Sequence, residues 1–206
     1  MTTRWERIAR AQAGRDYATT YAERFRSLAA DGQDVHGEAA LVARLVDPPA
    51  RVLDAGCGTG RIAVHLDGLG YAVTGVDVDP AMLAVARAEA PGLDLREADL
   101  ATLDLGGAFD LVLLAGNIVP LLEPGTLGPV CERLAAHTAP DGVVVCGFGL
   151  DADHLPGDCP VTPVADLDAA MAAAGLVPVA RYGTWDGDPF DEAAGYVVTV
   201  HGRSAR

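Results

Sequence analysis

The chain of 206 residues contains no lysine, so neither a Schiff-base lysine nor the lysine of a phosphate-gripping P-loop is available. Its two serines, Ser27 and Ser204, lie outside any G-x-S-x-G elbow, which excludes the usual serine hydrolase arrangement. Asn117 is its single asparagine. The four cysteines, Cys57, Cys131, Cys146 and Cys159, form no C-x-x-C pair, so no metal site is expected. No apolar run reaches membrane-spanning length and the N-terminus lacks a signal-peptide core, so a cytoplasmic protein with free thiols and no membrane partner is expected.

Half of the residues are apolar, which is enough to build a substantial core. The net charge of -14 repels nucleic-acid phosphates and argues against nucleic acid as a partner. Residues 1–26 depart from this balance, with Arg4, Arg7, Arg10, Arg15, Arg24 and Arg26. Glu6, Asp16 and Glu23 interleave with them, the pattern of an exposed helix face more than of an RNA contact.

Helical spacing over 4–30 brings Ile8, Tyr17, Tyr21, Phe25 and Leu28 to one side, with Gly14 a weak point. Residues 34–46 read as a second helix, stopped by Asp47-Pro48-Pro49. From Arg51 onward strands and helices alternate: strands at 51–55, 72–77, 93–96, 109–114 and 143–148, helices at 59–69, 80–89, 125–137 and 164–174, and a terminal strand pair at 177–184 and 196–201. This order predicts an α/β fold with a doubly wound, mostly parallel sheet. The expected partition is one domain over 1–206, with a helical extension at 1–48 and a Rossmann-like core at 49–206.

Ligands of such sheets bind beyond the carboxyl ends of the strands. The first strand ends in Asp54-Ala55, then Gly56, Gly58 and Gly60 alternate, so a ligand or the next helix approaches the backbone closely. The second strand ends in Asp77, whose carboxylate suits a ribose diol. Asp99 follows the third and suits an adenine amine, with Val78 and Met82 as apolar faces for the ring. A dinucleotide fingerprint would need glycine at position 61, where Arg61 stands, so an NAD-binding oxidoreductase is the remote alternative.

The stretches VLDAGCGTGR, GVDVDPAML, EADL and FDLVLLAGN resemble the successive motifs of class I S-adenosylmethionine-dependent methyltransferases over residues 50–148. The resemblance implies a seven-stranded sheet of order 3-2-1-4-5-7-6 with strand 7 antiparallel. It implies S-adenosyl-L-methionine as cofactor and S-adenosyl-L-homocysteine as product. Gly56 and Gly58 would line the methionine part, Asp77 the ribose and Asp99 the adenine amine, with Ala115 and Gly116 near the sulfonium. Asp54, Ala55, Cys57, Arg61, Ala98, Leu100 and Asn117 complete the expected cofactor-binding set. For Asp54 two readings stand together, a water-mediated contact to the methionine ammonium and a tie to the loop backbone.

The N-terminal segment is similar to the lid of small-molecule methyltransferases, including amino-sugar N-methyltransferases, in which an aromatic closes over the cofactor; Tyr17 or Tyr21 would do this here. No N/D-P-P-Y motif follows the fourth strand, so the implied reaction is methyl transfer to a nitrogen or oxygen of a small molecule. His36, Tyr21 and His154 are the candidate catalytic residues. A non-catalytic S-adenosylmethionine-binding protein or partner subunit is the alternative, and the reading leaves room for a homodimer.

Overall fold

The computed structural model describes residues 3–203, the side chain of Glu192 apart; the ends of the expected span, 1–2 and 204–206, lie outside the described residues. The sheet has the order β3-β2-β1-β4-β5-β7-β6. Its strands are β1 (Arg51–Ala55), β2 (Ala72–Asp77), β3 (Asp94–Glu97), β4 (Phe109–Leu114), β5 (Thr138–Gly149), β6 (Leu176–Tyr182) and β7 (Tyr196–Arg203). All neighbours are parallel except β7, which runs antiparallel to both β5 and β6. The implied order and the antiparallel seventh strand are therefore both present.

Helices cover the two faces because the central strands are apolar on both sides, as buried parallel strands must be. On one face Leu53, Val112 and Cys146 pack against Val130 and Leu134 of α7 (Leu127–Ala136) and Met171 of α8 (Val164–Ala173). On the other, Val52, Leu111 and Val145 meet Leu41 of α3 (Gly37–Leu45) and Ile62 and Leu66 of α4 (Arg61–Gly68). The remaining helices are α1 (Arg4–Ala13), α2 (Tyr17–Ala30), α5 (Pro80–Glu89) and the short α6 (Ile118–Leu121). No helix among the described residues is long and apolar enough to cross a membrane.

Local chemistry sets several boundaries. Thr3 caps α1 by accepting the Glu6 amide, and Glu6 pairs with Arg10 one turn later. The helix expected over 4–30 breaks at Gly14, whose φ of 68° no ordinary residue adopts readily. Asp79 caps α5 and Pro80 occupies its first turn. Strand β5 begins at Thr138 rather than at the expected Val143, because the chain from Thr138 to Val143 bulges against Phe109–Leu111 of β4. A side chain at Gly142 would lie 2.8 Å from the Phe109 carbonyl oxygen, which explains the glycine.

Candidate functional site

The helices after β1 and after β4 leave toward opposite faces, and a crevice opens between them at the carboxyl ends of the strands. There an open cavity holds about 1130 Å³ of empty space, its mouth included.

Its first wall is the glycine loop. The amides of Gly56 and Cys57 both donate to the Val76 carbonyl, at 2.8 and 2.9 Å, so the loop hangs from the end of β2. The Asp77 carboxylate then binds the loop from the side: one oxygen accepts from the Gly58 amide at 2.8 Å and the other from the Asp79 amide at 2.8 Å. Each oxygen retains accepting capacity for a further donor. Burial pushes the Asp77 carboxyl up to about 6. Asp54 is deeper, 2% exposed, and burial pushes it up to about 7 against the lowering pull of Arg61. Asp99 accepts from the Ala101 amide with one oxygen.

The opposite wall comes from α1, α2 and the segment after β4. Trp5 and Tyr21 meet edge to face at a centroid distance of 5.6 Å, and Tyr21 lies 5.0 Å from Phe25. Ile118, Leu121 and Leu122 continue the apolar surface, which ends at Glu123 and Thr126. The Arg4 amide donates to Glu123, and the Arg4 guanidinium donates to the Pro120 carbonyl at 2.6 Å. The first turn of α1 is thus clasped to the segment after β4.

Of the residues expected at the site, Asp54, Gly56, Cys57, Gly58, Arg61, Asp77, Val78, Met82, Ala98, Asp99, Leu100, Ala115, Gly116 and Tyr21 line this cavity. Cys57 turns its thiol against Gly75 and lies among Leu83, Ala86 and Leu95, where burial holds it protonated. Arg61 is the sole cation among the described lining residues, and its guanidinium is engaged by Glu38 at 2.6 Å, by the Val35 carbonyl and by the Phe25 ring.

Tyr17, Ala55, Asn117, His36 and His154 stand off the cavity wall. Tyr17 is 3% exposed and donates its hydroxyl to Asp79. Ala55 points into the core beneath β1. Asn117, with φ of 67°, bridges the Gly149 amide and the His154 carbonyl. His36 stacks on His65 at 4.0 Å, outside the Arg61–Glu38 pair, and burial lowers its pKa. His154 pairs with Asp151 at 2.7 Å. Trp185 lies on Gly147 of β5 and donates to the Tyr196 hydroxyl at 3.1 Å.

Thr3 and Trp5, and Ile118, Leu121, Leu122 and Glu123, also line the cavity; they lie in the segments 1–40 and 116–123 from which the sequence predicts an acceptor pocket, whereas the loop 149–160, predicted to join them, supplies no described lining residue. Thr59, Ile62 and Thr126 line it as well, outside the predicted segments and the predicted cofactor-binding set.

A family model described as "Methyltransferase domain" matches residues 52–142. The fold is similar to a TehB-like SAM-dependent methyltransferase from Corynebacterium glutamicum, at 30% identity and a TM-score of 0.81, covering 91% of this chain and 98% of that one. It is similar also to an amino pentose methyltransferase from Micromonospora echinaspora, solved with SAM bound, at 27% identity and a TM-score of 0.69 over 90% of this chain and 96% of that one. A dTDP-3-amino-3,6-dideoxy-alpha-D-glucopyranose N,N-dimethyltransferase from Streptomyces fradiae is 39% identical over 119 residues, 55% of this chain and 47% of that protein. The chain spans about half the length of the curated relatives of this kind that it matches.

Proposed function

The chain belongs to the S-adenosylmethionine-dependent methyltransferases, and from that premise we propose that it moves a methyl group from S-adenosyl-L-methionine to a nitrogen or oxygen of a small molecule, leaving S-adenosyl-L-homocysteine. The observation that carries this reading is the half-buried Asp77 carboxylate, fixed by the Gly58 and Asp79 amides with lone pairs to spare at the edge of the cavity. Such a group accepts from a vicinal diol without having to reorient.

The other walls fit the same ligand. The free oxygen of Asp99 suits an exocyclic amine, and Val78, Met82 and Leu100 offer apolar faces to a purine. Glycines with φ of 91° at Gly56 and 55° at Gly58 leave backbone without Cβ atoms where a methionine chain would lie. Asp54, Asp77, Asp99 and Glu123 make the cavity acidic, while Arg61 is already neutralised by Glu38, so the field favours a cationic donor.

When bound, S-adenosylmethionine supplies a methyl group already activated by its sulfonium. The protein's main contribution is then alignment. Trp5, Tyr21, Ile118 and Leu122 exclude water and hold an acceptor by its apolar surface, and Glu123 supplies a carboxylate at the rim. An amine is the favoured acceptor. The relatives from Streptomyces fradiae, Streptomyces venezuelae and Saccharopolyspora spinosa are named as N,N-dimethyltransferases of dTDP-linked amino sugars, and the acidic cavity suits an ammonium before it loses its proton. The reading takes 1–206 as one catalytic unit with 1–48 as its lid, acting in the cytoplasm on a small molecule rather than on nucleic acid; four free buried thiols and the charge of -14 support it.

Calorimetry with S-adenosylhomocysteine, followed by turnover on nucleotide-linked amino sugars, simple amines and phenols, tests the proposal. Binding with methylation of at least one acceptor class is expected. Binding with no turnover on any acceptor would point instead to a non-catalytic binding protein, and binding of NADH without S-adenosylhomocysteine would overturn the reading entirely.

A further inference from the structure

We propose that Tyr17 is a positioning residue for the nucleoside half of the site: through Asp79 it couples docking of the N-terminal helices to the geometry of Asp77 and the glycine loop. This rests on the function proposed above and adds to it a route by which the lid strengthens donor binding without touching the donor.

Two parallel paths lead from Tyr17 to Gly58. The polar one begins at the Tyr17 hydroxyl, which donates to Asp79 Oδ2 at 2.6 Å, both residues being nearly sealed from water. The other Asp79 oxygen accepts from the Ala81 amide at 2.9 Å and the Met82 amide at 3.4 Å. The Asp79 backbone amide in turn donates to Asp77 Oδ1, and Asp77 Oδ2 accepts from Gly58. Four residues from three separated stretches of sequence thus share one hydrogen-bonded chain. The apolar path runs through Met82, which packs in one buried cluster with Tyr17, Ala9 and Ala18. The Met82 methyl lies 3.2 Å from where a Cβ on Gly58 would be, so Met82 closes the space beside the loop at that glycine.

Removing the Tyr17 hydroxyl leaves Asp79 Oδ2 buried without its donor, a costly vacancy for a charged group. The 77–79 turn then relaxes to find another partner, and Asp77 loses the orientation in which it meets both Gly58 and a diol. Coupling of this kind is reciprocal: if lid docking orders Asp77, a ligand on Asp77 must strengthen lid docking.

Tyr17→Phe keeps the ring against Met82 and deletes the polar path alone. Wild-type protein binding S-adenosylhomocysteine in calorimetry is the reference, and its failure to bind would overturn the proposed function and this inference together. With wild-type binding in hand, Tyr17→Phe is expected to bind on the order of tenfold more weakly. The loss should appear as a rise in the donor KM, with kcat at saturating donor and the acceptor KM changing much less. A merely structural role would lower the ligand-free melting temperature and leave the Kd alone; an unchanged Kd would overturn the inference with the function intact. Hydrogen exchange on the wild-type protein gives a second measurement that does not depend on the variant folding. S-adenosylhomocysteine should slow exchange over 14–22 together with 56–61, and protection confined to the glycine loop would count against the coupling.

Discussion

The Glu38 carboxylate meets the Arg61 guanidinium at 2.6 Å, with side chains only 12% and 15% exposed. The pair joins α3 to the residue that opens α4 beside the glycine loop, and the guanidinium also lies 4.4 Å from the Phe25 ring of α2. Three helices therefore converge on one cation. Glu38→Ala should cost about 3–5 kcal/mol, since it strands a charge that has little water to fall back on. Urea denaturation measures this, and a loss below about 1 kcal/mol would mean that the pair behaves like one on an open surface.

Asp77→Ala should weaken S-adenosylhomocysteine by about 10–100-fold, the range of a lost hydrogen bond to a charged group. The Gly58 and Asp79 amides also lose their acceptor, so melting should shift downward in the absence of ligand. Equal binding by variant and wild type in calorimetry would remove the ribose from Asp77.

Burial raises Asp54 to about 7 and Asp77 to about 6, from an ordinary value of 3.8. The folded protein consequently holds protons there that the unfolded chain has released, and stability should decline as pH climbs from about 4 to about 7. Donor binding should run the other way. A sulfonium next to these groups favours their charged forms, so S-adenosylmethionine should tighten over the same interval with release of protons, and the product should tighten less. Calorimetry in two buffers of different ionisation enthalpy reads the proton release directly; a flat affinity between about pH 5 and pH 8 would contradict the assigned burial.

Gly147→Ala should destabilise the protein by about 1–3 kcal/mol, because the added methyl would fall within 2.8 Å of Trp185 ring atoms. The indole would have to give up its bond to Tyr196. With Trp5 replaced by Phe, Trp185 is the only indole left of the chain's two, and its emission should shift to the red on Gly147→Ala. Unchanged emission and melting would mean that the ring moves at no cost.

The strands that build the nucleoside wall were readable because each is a short apolar run that ends in chemistry at its tip: Asp54 before alternating glycines, Asp77 before a capping Asp79-Pro80, Asp99 before a turn. Spacing alone brings these together once the sheet is parallel. For the opposite wall the sequence points to the segments 1–40 and 116–123 but not to the side chains that meet there. Trp5 lines the same cavity as Leu122 and Glu123 only through the tertiary path of α1, and no periodicity in either segment announces it. His36 and His154 are titratable groups that the sequence offers as catalytic candidates, yet a stacked imidazole and a neighbouring aspartate engage them away from the cavity. The orientation of Tyr17 was likewise hidden, since helical spacing points it inward without saying whether a ligand or Asp79 waits there.

The clasp between Arg4 and the Pro120–Glu123 segment has an evolutionary consequence. One wall of the cavity is written in a continuous run from Asp54 to Leu100, while the facing wall is assembled from the first helices and the segment that follows β4. The two walls share few codons. Mutations in the facing wall can reshape what the cavity accepts while the nucleoside wall stays under separate selection, so descendants of such a chain can change acceptor without first losing their donor.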